Sequence, residues 1–164
     1  MPDTVDIPAP LTLHTETVLP EWIDHNRHLS VPYYVLALDN ATGALLRYFG
    51  ITPEYRERTG YTTFTGDFHI RYVREVLEGD PLRFTQQVVD FDEKRVHYFM
   101  EMIHAEKGYI AAEAEAITLH VDSAARKVAP FPPDVYDRIR TVHEAHSLLP
   151  APANLGRRIT VRRT

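Results

Sequence analysis

Asp24, His25, Asn26 and His28 place a carboxylate, two imidazoles and an amide within one short stretch, just ahead of a long apolar-periodic segment. Together these groups suit acyl chemistry. A helix starting there offers unpaired backbone N–H groups and the positive end of a dipole to an oxyanion, while Asp24 is close enough in sequence to serve as nucleophile or base. The same residues have a plainer use, since Asp24-x-Asn26 followed by Ser30-x-Pro32 is also a pattern for an Asx turn and a helix cap. The residues alone leave both readings open.

Two imidazoles beside a carboxylate also resemble a metal ligand set, but the spacing lacks companion ligands and the helical context of a zinc hydrolase, so no metal is expected. His14, His69, His97, His104 and His120 fall at strand positions, where hydrogen-bonded or exposed imidazoles are commoner than ligands. Asp39, a rival carboxylate further along, is expected on the solvated side of its helix or beside Arg47.

Other chemistries are excluded by what is missing. Ser30, Ser123 and Ser147 are the only serines, none in a Gly-x-Ser-x-Gly elbow, and there is no cysteine, so carboxylates and histidines must carry any catalysis. No glycine spacing matches a dinucleotide or phosphate loop. The net charge of -5 argues against nucleic-acid binding, and no apolar run is long enough to span a membrane. The absence of cysteine and of a visible signal peptide agrees with the cytoplasm. A length of 164 residues suits a single domain, with residues 155–164 as a solvated basic tail.

The elements that must position Asp24 follow from periodicity. Leu11 to Val18 alternates as a first strand. From Val31 to Phe49, apolar residues recur at helical spacing, with Ser30 as cap and Gly50 as stop. From Thr62 the period becomes two, predicting Phe64, Phe68, Ile70 and Tyr72 on one face and Thr63, Thr65, Asp67, His69 and Arg71 on the other. Turn residues separate three further strands, Leu82 to Val89, Arg95 to Ala105 and Tyr109 to Val121, as an antiparallel meander. Ala111 to Ala116 has helical propensity, yet small residues there suit a strand lying close under a helix. Pro132 and Pro133 open a last helix through Ser147, and Leu149 to Asn154 reads as an extended linker.

This order of elements, with the Asp24 loop, resembles the hot-dog fold of acyl-CoA thioesterases: an α+β fold with an antiparallel sheet wrapped around a long central α-helix. The 4-hydroxybenzoyl-CoA-thioesterase-like branch has a loop Asp-x-Asn-Gly-His-x-Asn-x-x-Tyr, matched here by Asp24, Asn26, His28 and Tyr33. Arg27 and Ser30 depart from it. Phe64 to Tyr72, Asp92 to His97 and Leu119 to Asp122 further resemble the betainyl-CoA thioesterases of carnitine breakdown.

The resemblance implies hydrolysis of a short acyl-CoA, with CoA as part of the substrate and no cofactor, in a homodimer or dimer of dimers. Asp24 would be nucleophile or general base, with Asn26 and His28 orienting the loop or the water. Backbone N–H groups near Ser30 and Val31 would polarise the carbonyl, and Thr63, Thr65 and His69 of the neighbouring subunit would line the acyl end. A trimethylammonium acyl group would need aromatic walls, for which Trp22, Tyr33 and Tyr34 are nominated, with Phe64 and Tyr98 in reserve. Two rival readings are a hot-dog hydratase or dehydratase using His28 as acid or base, and a non-catalytic acyl-CoA-binding module whose loop is idled by Arg27.

Overall fold

The computed structural model describes residues 7–161. Its elements run β1 (Leu11–Thr17), a short 3-10 turn (Pro20–Trp22), α1 (Val31–Tyr48), α2 (Pro53–Thr59), β2 (Tyr61–Tyr72), β3 (Pro81–Phe91), β4 (Arg95–His104), β5 (Ile110–Asp122), β6 (Lys127–Val128) and α3 (Pro133–His146). The sheet order is β1-β3-β4-β5-β2, with antiparallel pairing throughout and β6 added to β5. The expected meander is thus confined to β3-β4-β5. The connection through α1 and α2 carries the chain from β1 at one edge to β2 at the other.

One face of this sheet holds α1, the hot-dog arrangement. Tyr34, Ala37, Leu38, Ala41, Thr42, Ala44 and Leu45 form a helical stripe of buried residues, spaced so that one side of α1 is removed from water. Beneath it the inward register positions of β5 are Ala112, Ala114, Ala116, Thr118 and His120, all buried. The alanine run is therefore strand, as its setting predicts. Small side chains let the helix approach the sheet, and burial in strand pairing outweighs the fraction of a kcal/mol per residue in helix propensity.

Polar groups lock that approach. Gln86 Nε2 of β3 donates to Ala41 O at 2.6 Å, while the Tyr98 hydroxyl of β4 lies between Thr42 Oγ1 (3.3 Å) and Thr118 Oγ1 (3.0 Å). Helix α3 caps one end of the core through Val135, Ile139 and Val142. Its buried His146 accepts from Val88 N at 2.9 Å and donates from its other ring nitrogen to Pro8 O.

Four elements depart from the sequence reading. Helix α2 and strand β6 were not expected, being too short for a periodic signal. The period of two fails in β2, where the register shifts between Thr65 and Asp67, making Gly66 the extra residue of a bulge. A Cβ at Gly66 would lie 3.2 Å from Leu119, so a larger residue there would crowd the neighbouring strand. The segment after α3 is not a free linker, whereas residues 157–161 of the tail are exposed. Gln87 Nε2 donates to Pro150 O, Asn154 Nδ2 to Glu113, and Gly156 N to Glu115, fastening it across the outer sheet face. Of the tail arginines, Arg162 and Arg163 lie outside the described residues.

Candidate active site

Ile23 and Leu29 form an isolated antiparallel bridge that closes the Asp24 loop. Its rim is anchored by Leu29 N to Val76 O and Ser30 N to Trp22 O, both 2.9 Å. Within it the Asn26 backbone N–H donates to Asp24 Oδ1 at 2.8 Å, an Asx turn. The turn occupies one carboxylate oxygen and leaves Oδ2 without a hydrogen bond among the described residues. His28 Nδ1 stands 3.9 Å from Oδ1. The Asx turn thus leaves Asp24 an oxygen for chemistry, and Asn26 orients the carboxylate through its backbone while its side chain is exposed.

Arg27 takes the left-handed φ of 65°, which is why a glycine suits that position. A side chain there carries about 1 kcal/mol of backbone strain. Arg27→Gly should therefore raise the thermal midpoint by about 3 °C with thioester hydrolysis retained, as a melting curve and a thiol-release assay would show. A lower midpoint would mean that the arginine side chain supports the loop.

At the helix start, Ser30 occupies the N-cap position without a side-chain cap bond, contrary to expectation. Its N–H is committed to Trp22 O, and the N–H groups of Tyr33 and Tyr34 turn back to Ser30 O. Proline 32 has no N–H. Of the two donors expected to polarise a carbonyl, Ser30 is therefore unavailable and Val31 alone has no acceptor among the described residues.

The nominated aromatics separate into two pairs. Trp22 is buried and stacks on Tyr33, centroids 5.6 Å apart and planes at 15°, so each covers a face of the other. Tyr34 meets Tyr72 edge to face, 5.2 Å apart at 80°. Its hydroxyl donates to Arg74 O at 3.5 Å, and burial pushes its pKa up to about 12. A cavity of about 250 Å³ is lined by His28, Val31, Tyr34, Tyr72, Arg74 and Glu75, with Leu29 and Val73. Tyr72 and Glu75 were missed by the sequence reading, because their nearness to the loop depends on the chain leaving β2 and passing beside Leu29.

The bulge divides the expected acyl-end residues. Thr63 and Thr65 pair with His120 and Thr118, on the α1 side of the sheet, whereas His69 pairs with Glu115 on the outer face. His69 lines an outer cavity of about 340 Å³ with Asp67, His97, Glu115 and Arg157, not the space by α1. Phe64, on that same outer face, is exposed; Tyr98 is in the core. Asp39 is exposed, as expected of its solvated reading, and makes no ion pair with Arg47 among the described residues. His25 is exposed. His120 serves the core: Tyr55 hydroxyl is 2.8 Å from Nε2, Nδ1 donates to Ala129 O, and burial lowers its pKa.

The family model described as the thioesterase-like superfamily matches residues 18–139, spanning the loop, α1 and the whole β2–β5 sheet. The chain belongs to this superfamily. Its family and its relatives make it a thioester hydrolase. The chain is 35% identical over 147 residues to a betainyl-CoA thioesterase of Pseudomonas aeruginosa, covering 90% of this chain and 92% of that protein. It is 34% identical over 160 residues to an L-carnitine dehydrogenase/betainyl-CoA thioesterase of Rhizobium meliloti, covering 98% of this chain but 32% of that longer protein. Among solved structures, a Staphylococcus aureus protein in complex with CoA superposes with TM-score 0.87 at 27% identity, covering 94% of this chain and 98% of the other. A putative thioesterase from Pseudomonas putida gives 0.82 at 29% identity, covering 95% and 99%. No helix among the described residues is long and apolar enough to cross a membrane.

Proposed function

We propose that this thioesterase hydrolyses betainyl-CoA to glycine betaine and CoA, with Asp24 as the catalytic carboxylate. The observation that carries the site is that His28, whose Nδ1 is 3.9 Å from Asp24 Oδ1, lines a cavity together with Val31 at the start of α1. The betainyl assignment rests on the near full-length likeness to the Pseudomonas aeruginosa protein. A thioester needs no metal or redox group to be hydrolysed, so a carboxylate, an imidazole and an oxyanion donor suffice.

Two routes use the same atoms. Asp24 Oδ2 adds to the thioester carbon and expels CoA thiolate, leaving a mixed anhydride that water cleaves. Alternatively Asp24, with His28 beside it, removes a proton from water; the hydroxide adds to the carbonyl and the departing thiolate takes up the proton. In both, the Val31 N–H faces the developing oxyanion. Hydrolysis in ¹⁸O-water followed by peptide mass analysis distinguishes them, since label in the Asp24 side chain requires the anhydride.

The substrate reading is tested by thiol release across an acyl-CoA panel. Betainyl-CoA should exceed straight-chain acyl-CoAs by tens-fold or more in kcat/KM, and equal turnover of the neutral chains would remove the betaine assignment.

We also read the working unit as at least a homodimer. Strand β2 is a twelve-residue sheet edge with exposed Phe64 and Tyr72, a surface that an identical edge would cover. Thr63 and Thr65 lie on that edge strand, facing the α1 side, where they would meet the acyl end bound by a partner. Light scattering at micromolar concentration should give at least twice 18.9 kDa; a stable, active monomer would overturn the shared site. A cytoplasmic setting fits a cysteine-free chain acting on a CoA ester.

A further inference from the structure

A betainyl group imposes a tight geometric condition, because only one methylene separates its ammonium from the thioester carbonyl. Two single bonds of ~1.5 Å put the nitrogen about 2.5 Å from the reacting carbon. Whatever holds the ammonium must therefore line the same cavity as the oxyanion donor. Trp22 and Tyr33 do not line it, and their stacked faces cover each other. Tyr34, Tyr72 and Glu75 do line it, together with Val31 and His28.

We propose that Tyr72 and Glu75, with Tyr34 behind them, form the ammonium subsite of this enzyme, the exposed ring and the carboxylate flanking the trimethylammonium head in the cavity that Val31 also lines. The inference rests on the betainyl reading of the substrate and adds where that group is recognised. Quaternary ammonium donates no hydrogen bond, so aromatic faces and a nearby anion are the means of holding it. Tyr34, 5% exposed, meets the Tyr72 ring edge to face at 80° and 5.2 Å and backs the corner, while Tyr72, 47% exposed, supplies its open wall.

The charges around the corner are arranged to admit a cation. Glu75 enters no salt bridge among the described residues, so its carboxylate is free to act on the cavity. Arg74, the opposing charge at the rim, has its guanidinium carbon 4.1 Å from the Tyr109 ring centroid, drawn to that ring. Tyr109 in turn donates its hydroxyl to Glu75 O at 3.0 Å, tying this stretch in place. Burial and the neighbouring Glu75 charge both keep the Tyr34 phenol protonated, so the ring behind Tyr72 adds no charge of its own.

The test compares betainyl-CoA with 3,3-dimethylbutanoyl-CoA, which has the same shape and no charge, in wild type, Tyr72→Leu and Glu75→Gln. Both substituted residues are exposed, so the variants should fold, as circular dichroism would confirm. Wild type should prefer the cationic substrate tens-fold or more, and each variant should lower the ratio of kcat/KM for betainyl-CoA over the neutral substrate by about tenfold. A wild-type preference that survives both substitutions, or that collapses instead in Tyr33→Leu, would overturn the subsite while the betainyl reading stands. A wild type that does not favour the cationic substrate would overturn both.

Discussion

Asp24→Asn should lower thioester hydrolysis by about three orders of magnitude or more while leaving the fold intact, as thiol release and circular dichroism would show together. An asparagine amide oxygen can still accept the Asn26 N–H that now meets Asp24 Oδ1 at 2.8 Å, so the Asx turn survives. What disappears is the anionic oxygen: an amide neither displaces CoA thiolate nor takes a proton from water. Asp24→Ala loses both the charge and the turn acceptor, and should be at least as inactive and less stable by about 1 kcal/mol. Asp39→Asn is the control. Asp39 is exposed on the solvated side of α1, and this variant should retain near wild-type turnover. The reverse pattern would show that the carboxylate has been misassigned.

The second large effect concerns stability and the seating of α1. Tyr98 is fully buried, with its hydroxyl between Thr42 of the helix and Thr118 of β5. Tyr98→Ala removes a core aromatic and leaves a cavity, a loss of about 3–5 kcal/mol. The thermal midpoint should fall by about 10 °C, measured by calorimetry. Tyr98→Phe keeps the ring and loses the hydroxyl contacts, at about 1–2 kcal/mol. If Tyr98→Phe proved as damaging as Tyr98→Ala, the polar bridge rather than the packed ring would be the element holding helix to sheet.

Much of the fold was legible because its causes are local. The apolar stripe from Tyr34 to Leu45 repeats within four residues, so α1 announces itself without reference to the sheet. Turn residues such as Gly79-Asp80-Pro81 mark strand ends in the same way. The Asp24 loop was legible for a similar reason: the Asx turn depends on Asp24 and Asn26 alone, and its position ahead of α1 follows from where the stripe begins. Even the alanine run in β5 declared its strand state through the β-branched and apolar residues that follow it.

What only the tertiary structure decided depends on partners far away in sequence. A strict alternation puts Thr63, Thr65 and His69 on one face, but the bulge at Gly66 reverses the parity, and that bulge is set by pairing with Ile117 and Thr118 on β5. Ser30 reads as a helix cap and an oxyanion donor; its N–H is instead drawn to Trp22 O by the closing of the loop. The three aromatics beside Asp24 read as one group, yet their rings separate because Trp22 is buried against Tyr33 while Tyr34 finds Tyr72. Residues 149–154 read as linker because nothing in them is periodic; carboxylates of β5, Glu113 and Glu115, hold Asn154 and the following Gly156 by hydrogen bonds that no local pattern encodes. The sequence by itself determined which residues can react and which helix they precede, since those follow from side-chain chemistry and short-range periodicity. Which side chains share a cavity with them was decided by strand register, where a single extra residue turns every later side chain to the opposite face.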